Sequence, residues 1–196
     1  MMLDLETKEL LAKLREVEEA LEARLDAKRA LFNYQIEQGR VVFESEIRER
    51  HKRLKTGLLT FLRHSQLSRL ITAPVIYSLI VPFAVLDLSV ALYQAVCFPI
   101  WGIKPAKRSD YIIIDRHQLA YLNAVEKLNC VYCGYANGLA ALVSEVASRT
   151  EQYWCPIKHA SRVKNPHARY SRFVDYGDAE GFRAILEELR EEVRNS

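Results

Sequence analysis

A long, almost uncharged run at residues 70–103 constrains this chain more than any other feature. Its only charged side chain is Asp87. A helix needs about 20 consecutive apolar residues to cross a hydrocarbon core of about 30 Å, because each helical residue adds about 1.5 Å. The run is too long for one straight crossing and too short for two crossings joined by a turn. We therefore predict that it enters a bilayer. A buried helical hairpin inside a soluble core is the alternative.

Pro82 and Asp87 lie near the middle of this run and predict where it turns. Pro82 lacks a backbone N–H group and can kink or end a helix. Asp87 suits a turn, where it either caps the following helix or reaches the lipid head groups. Proton or ion chemistry is the other interpretation, since ionisable groups within hydrocarbon are commonly functional. Trp101, with Tyr93 and Phe98, is expected in the aromatic belt at the membrane–water interface.

Lysine and arginine residues flank the apolar run on both sides, at residues 52–69 and 104–108. Basic flanks are retained on the cytoplasmic side of a membrane. This favours a re-entrant hairpin with both ends on that side over a kinked, spanning helix. The first 25 residues contain no apolar core of signal-peptide length, so we expect the N-terminus to start in the cytoplasm. Together these features predict a monotopic protein on the cytoplasmic side of the cell inner membrane.

Residues 1–65 carry two amphipathic helical patterns. Leucine and valine recur at three- and four-residue steps within residues 3–38, which predicts a first helix, with Gly39 as its expected stop. A second helix is predicted from residue 43 onward. Its many basic side chains suit either the membrane interface or a solvated helix face. The first apolar stripe departs from strict heptads but needs a partner, either a second helix or another copy of the chain.

Residues 105–177 have the character of a small water-soluble module. The β-branched run at 111–114 predicts a brief strand or an edge lying on the bilayer surface, and apolar spacing predicts helices over 116–129 and 138–149. In the second of these helices, we expect four residues to face inward: Leu139, Leu142, Val143 and Val146.

Residues 178–196 predict a last amphipathic helix that ends near residue 194. Asp178 is a suitable N-cap for it, because aspartate side chains accept hydrogen bonds from the free N–H groups of a first turn. The apolar positions expected to be buried are Phe182, Ile185, Leu186 and Leu189. The chain is thereby divided into an N-terminal helical region (1–65), a membrane-inserted segment (66–104), a small α-rich module (105–177) and this final helix (178–196).

Cysteine and histidine spacing in the small module indicates a metal site. The four candidate ligands are Cys130, Cys133, Cys155 and His159. Three sulfurs and one imidazole complete the tetrahedral shell of a structural zinc site. A CxxC pair in a chain without a secretion signal is more typical of metal binding than of disulfides. His117 or His167 is a possible additional ligand or pocket residue if the site keeps an open position. A thiol redox pair at Cys130 and Cys133, or unligated buried cysteines, are the alternatives.

These patterns predict a mainly α fold and a membrane-associated, zinc-binding scaffold or assembly protein. Its expected partners are the lipid bilayer and either further copies of the chain or a membrane complex. A net charge of +3 without a basic stripe of stacking aromatics does not favour nucleic acid. The sequence contains no GxSxG, phosphate-binding glycine loop or HExxH motif, so catalysis is not favoured. The alternative is a membrane-bound metalloenzyme or thiol redox protein acting on a lipophilic substrate.

Overall fold

A computed structural model describes residues 5–30, 34–37, 40–43 and 45–195 of the 196-residue chain. The described residues are mainly helical, as predicted. The helices are α1 (Leu5–Ala30), α2 (Ser45–Arg53), α3 (Leu58–His64), α4 (Leu67–Ser78), α5 (Ile80–Trp101), α6 (Arg108–Tyr111), α7 (Ala124–Trp154) and α8 (Ala179–Asn195). Two short strands, β1 (Tyr34–Glu37) and β2 (Arg40–Phe43), pair antiparallel. The chain divides into a first unit (Met1–His64 and Asp115–Leu128) and a second unit (Ser65–Ile114 and Asn129–Ser196).

The N-terminal part of the first unit differs from the two long helices predicted for it. Helix α1 ends at Ala30 rather than near residue 38, and β1 and β2 follow, with Tyr34 opposite Phe43 and Glu37 opposite Arg40. Their sequences, YQIE and RVVF, are rich in aromatic and β-branched residues, which favour strands. Gly39, the predicted helix stop, lies outside the described residues.

The predicted second helix is divided into separate pieces. Its first residue, Phe43, belongs to β2, and the helical part is interrupted between α2 and α3, where Gly57 lies. The described side chains of α2 include no buried residue, and its basic residues Arg48, Arg50 and Lys52 are exposed. On α1, the predicted apolar stripe is exposed as well. Its members are Leu10, Leu14, Val17, Leu21 and Leu25, which are 42–64% exposed.

Helix α7 begins later than predicted and does not stop where predicted. The Asn123 side-chain oxygen accepts hydrogen bonds from the N–H groups of Val125 (3.0 Å) and Glu126 (3.1 Å), and the Glu126 carboxylate accepts one from the Asn123 N–H (2.8 Å). This reciprocal capping box fixes the helix start. Residues 116–129 are therefore not one helix, because Arg116–Gln118 form only a short 3-10 turn. From Ala124 the helix continues unbroken through the gap predicted before residue 138.

In the second unit, α4 and α5 form one nearly continuous helical path. The break between them is at Leu79, whose N–H bonds back to the Ile76 carbonyl at 3.3 Å. Pro82 explains the break, since it has no N–H to donate to the carbonyl of Ser78 four residues earlier. Leu79 itself keeps right-handed helical backbone angles. The path therefore does not reverse, the hairpin turn predicted at Pro82 and Asp87 is not formed, and Asp87 lies inside α5 rather than at a helix start.

Helices α5 and α7 lie side by side and run in the same direction. Four contacts show this, because their residue numbers rise together along the two helices. They join Tyr77 (at the end of α4) to Asn129, Asp87 to Tyr135, Tyr93 to Thr150, and Trp101 to Tyr153. Two helices that run in the same direction need a return connection. Residues 103–114 begin this connection, and we call them the strap.

The strap leaves α5 at Gly102, whose φ of 73° is the left-handed conformation that glycine adopts readily at a helix end. It then runs back along α5, where the Ala106 N–H donates to the side-chain oxygen of buried Gln94 at 2.7 Å. It meets α7 at Gly138, where an added Cβ would lie 2.6 Å from the carbonyl oxygen of Tyr111. The strand predicted at 111–114 is not formed, because Tyr111 ends the one-turn helix α6 and residues 112–114 are irregular.

The core of the second unit lies where α5, α7, α8 and the strap meet. It contains Leu139, Leu142 and Val146, which face inward as predicted, with Val143 packed against them. Phe98 is fully buried there, so it does not belong to an interfacial belt. Helix α8 is confirmed, and the Asp178 carboxylate accepts a hydrogen bond from the Gly181 N–H at 2.8 Å. Its buried apolar residues are Leu189 and Val193, while Phe182, Ile185 and Leu186 are half-buried.

Candidate functional site

The structure separates the two halves of the predicted zinc site. Cys130 and Cys133 lie within α7, and Cys155 follows its last residue. At a rise of about 1.5 Å per residue, α7 places Cys133 and Cys155 about 33 Å apart. A single ion cannot reach both. Across the part of the chain that the structure describes, no group of three or more His, Cys, Asp or Glu side chains has the geometry to hold a metal ion.

The remaining candidate ligands have other neighbours. Partial burial, together with the nearby Glu151 carboxylate, raises the pKa of the Cys155 thiol and so disfavours the thiolate that would bind a metal. The His159 ring stacks on Tyr170, with ring centroids 6.2 Å apart. The Nε2 atom of His167 lies 2.9 Å from a carboxylate oxygen of Glu151.

His117 belongs to the first unit, whereas the four candidate metal ligands belong to the second. It lies in the 3-10 turn Arg116–Gln118 and is half-buried. The zinc prediction therefore gains no support from the positions of these residues.

A half-buried ion network surrounds the last turns of α7. One oxygen of Glu145 accepts hydrogen bonds from Arg149 and Arg169, both at 2.7 Å. Burial opposes ionisation of Glu145, but the hydrogen bonds from Arg169 and Arg149 outweigh it and hold the pKa of the carboxyl below its ordinary value. Buried Gln152 accepts from Arg169 at 3.3 Å and donates to the Leu189 carbonyl at 2.9 Å. The network ties α7 to α8 and to the segment that contains Arg169.

Asp87 forms a second polar cluster on the packed side of α5. Its carboxylate accepts hydrogen bonds from Arg108 at 2.8 and 3.3 Å and from the Tyr135 hydroxyl at 3.0 Å. The Asp87 side chain is only 16% exposed. The sequence reasoning missed Arg108 as its partner. The signal was incomplete, because a lone acid in an apolar run needs a cation but basic residues flank this run on both sides.

The opposite side of α5 is apolar and exposed. Its large side chains, which are 52–75% exposed, are Val81, Val85, Leu88, Leu92, Val96 and Ile100. On α4, Ile71, Val75 and Ile76 are exposed too. Among the helices of the described residues, Leu70–Trp101 is the one long and apolar enough to cross a membrane, judged by length and composition.

Three serine and threonine hydroxyl groups of the apolar helix bond to carbonyl groups of the helix itself. Thr72 bonds to the Ser68 carbonyl (3.0 Å), Ser78 to the Val75 carbonyl (2.8 Å) and Ser89 to the Val85 carbonyl (2.8 Å). Such back-bonding lets a hydroxyl group sit in hydrocarbon, where no water can bond to it.

An aromatic and basic cluster lies at the C-terminal end of α5. Trp101 stacks on Tyr153 with centroids 5.8 Å apart, and Trp154 meets both rings edge to face. The guanidinium groups of Arg190 and Arg194 lie 5.1 and 5.5 Å from the Tyr153 centroid. Trp154, which the belt prediction omitted, is 50% exposed. Tryptophan and arginine side chains of this kind suit a membrane–water interface.

Comparison of the chain with protein-family models, with curated proteins and with solved structures finds no match. The candidate site is therefore defined by geometry alone. It is the exposed apolar side of α4 and α5, which we call the apolar face, backed by the strap and α7 on the other side.

Proposed function

We propose that this chain is a membrane-associated scaffold or assembly protein anchored by α4 and α5. The apolar face is the observation that carries the proposal. Moving a leucine or valine side chain from water into hydrocarbon contributes about 1.5–3 kcal/mol, so the side chains of this face together favour insertion strongly. The internally bonded hydroxyl groups of Ser78 and Ser89 support lipid rather than water around it.

The scaffold role is supported by the exposed stripe of α1. Its leucine and valine residues are exposed, and acidic and basic side chains alternate around them. A second copy of α1 offers both a matching apolar stripe and charges of the opposite sign. We therefore place self-association in the first unit and membrane anchoring in the second.

Flotation of the full-length protein with vesicles of phosphatidylethanolamine and phosphatidylglycerol tests the anchor. The wild-type protein is expected to float with the vesicles. Leu92→Arg, on the apolar face, is expected to lower the vesicle partition coefficient, measured by flotation at low lipid concentration, at least about tenfold, because it removes about 1.5–3 kcal/mol of leucine burial in lipid. Ala141→Arg is the matched control, since Ala141 is exposed on the outer side of α7. A wild-type protein that stays in the aqueous fraction, or an equal loss for both variants, would overturn the proposal.

Size analysis in detergent across a range of protein concentrations tests self-association. The wild-type chain is expected to form dimers or larger species. The double substitution Leu14→Glu and Leu21→Glu is expected to give monomers, while Glu22→Gln, an exposed position of the same helix, leaves the size unchanged. A wild-type protein that is monomeric at every concentration would remove the scaffold role assigned to α1.

A further inference from the structure

We infer that α5 lies in the plane of one membrane leaflet, with the apolar face in lipid and the strap on the water side. The inference rests on the proposed function and adds the orientation of the anchor. Its partner is the surface of a bilayer rather than a second protein.

The distribution of residues on α5 carries the inference. In a spanning helix, apolar and polar positions separate along the axis, whereas in an interfacial helix they separate around it. The apolar face continues past Asp87, through Leu88 (72% exposed) to Ile100 (75% exposed). Asp87 and Gln94 point to the opposite side, where they bond to the strap. On α5 the two polar residues therefore lie on the packed side, which is otherwise mostly apolar, and the exposed apolar residues lie on the opposite side.

The strap makes a spanning arrangement of all of α5 unfavourable. Its contacts with Gln94 and Asp87 hold it beside residues 87–101 of the helix. It carries four exposed charged residues, Lys104, Lys107, Arg108 and Asp110, and outside α6 its backbone is irregular. Neither exposed charges nor irregular backbone are tolerated next to lipid tails. If α5 crossed the bilayer along its whole length, the strap would enter the hydrocarbon core with it.

An in-plane arrangement satisfies both sides of the helix at once. Interfacial helices bury their apolar side about 5–10 Å into the membrane, and a helix with its side chains is about 10–12 Å across. The apolar face is then covered by lipid, while the strap and the Asp87–Arg108 pair stay in water.

Fluorescence quenching by brominated lipids tests the orientation. The chain has two tryptophans, Trp101 and Trp154, so the substitutions Trp101→Phe and Trp154→Phe provide a silent background. Single tryptophans are then placed by Val85→Trp, Leu92→Trp and Ile100→Trp on the apolar face, and by Ser109→Trp on the strap. The vesicles contain phosphatidylcholine brominated near the head group or near the chain end, with phosphatidylglycerol.

We expect the three tryptophans on the apolar face to lose fluorescence to an equal degree. Their fluorescence is expected to fall more with lipid brominated near the head group than with lipid brominated near the chain end. The tryptophan at position 109 is expected to lose none. Depth that changes steadily from position 85 to position 100, or quenching at position 109, would overturn the in-plane arrangement while membrane binding itself stands. Failure of the protein to bind vesicles would instead remove the proposed function. If the silent background does not fold, the same tryptophans are added to the wild-type chain and the additional quenching is measured.

Discussion

Helices α5 and α7 lie side by side in the second unit, and both turn an apolar side toward the same core, but their outer sides differ. Between Asn129 and Tyr153, the exposed residues of α7 are small or polar: Asn129, Cys133, Asn137, Ala140, Ala141, Ser144 and Ala147. The exposed residues of α5 are mostly large and apolar. Absence of charge does not distinguish the helices, because residues 129–144 of α7 carry none either. The size of the exposed side chains distinguishes the two helices, because a continuous row of large apolar side chains is much less favourable in water than a row of small ones.

The largest expected effect concerns the inner side of α7. Gly138→Ala places a Cβ 2.6 Å from the Tyr111 carbonyl oxygen and 2.7 Å from the Ile112 Cα, both backbone atoms of the strap. We expect the free energy of unfolding to fall by about 2–3 kcal/mol, as for other overpacked sites, although alanine is the better helix former. Denaturant unfolding in detergent measures the change.

Ala140→Ser, on the exposed side of the same helix, is the control for Gly138→Ala and is expected to change stability by less than about 0.5 kcal/mol. Equal stability of the two variants would mean that the strap does not cross α7 at this point. The contrast between a packed inner side and a free outer side of α7 would then be wrong.

A smaller effect is expected from acid, and it acts on α7 through Glu145. The folded state holds the pKa of this carboxyl below its ordinary value, because Arg169 and Arg149 donate hydrogen bonds to it. The stability that Glu145 contributes is therefore fully present above the unfolded-state pKa and is lost as the pH falls through the folded-state pKa. Glu145→Gln is expected to lower the free energy of unfolding at neutral pH by about 1–2 kcal/mol and to reduce the further loss in acid.

Unfolding curves at neutral and acidic pH check this expectation. Glu187→Gln is a suitable control, because Glu187 is 71% exposed in its pair with Arg190 and surface pairs contribute about 0–1 kcal/mol. If Glu145→Gln follows the same pH dependence as the wild-type protein, the network at the end of α7 does not have the strength assigned to it.

The smallest expected effect concerns the cysteines. Helix α7 keeps Cys133 and Cys155 about 33 Å apart. We therefore do not expect the chain to bind one zinc ion whose binding requires both cysteines. Elemental analysis of the wild-type protein and of the Cys133→Ser and Cys155→Ser variants checks this, together with unfolding before and after chelation. One zinc per chain that is lost in either variant would show that α7 is not continuous between them.

Local patterns in the sequence predicted the parts of the fold that depend on local chemistry. The last helix follows from the aspartate cap at Asp178 and the regular spacing of its apolar residues, and both are seen. The inward positions Leu139, Leu142 and Val146 follow from the same periodicity. Pro82 correctly marked a break in the helical path, since the missing N–H acts within one turn.

Features that depend on distant residues were not predicted. The pairing of Asp87 with Arg108 joins residues 21 positions apart, and the sequence alone assigned Asp87 to a turn instead. The hairpin prediction rested on the basic residues that flank the run on both sides and on the length of the run measured across a bilayer, which assumes a helix perpendicular to the membrane. The CxxC spacing of Cys130 and Cys133 was taken as a metal motif, although residues three apart also lie on one face of an ordinary helix.

The parallel course of α5 and α7 has a consequence for how the chain is made. Their side-chain hydrogen bonds join residues 48–57 positions apart, so the ribosome completes α5 well before the matching part of α7. At about 5–20 residues per second, this delay is roughly 3–10 seconds. For that time the side of α5 that packs against α7 lacks this neighbour, and a nearby membrane or chaperone has first access to it. Only the side that later receives α7 and the strap has to give up that early contact.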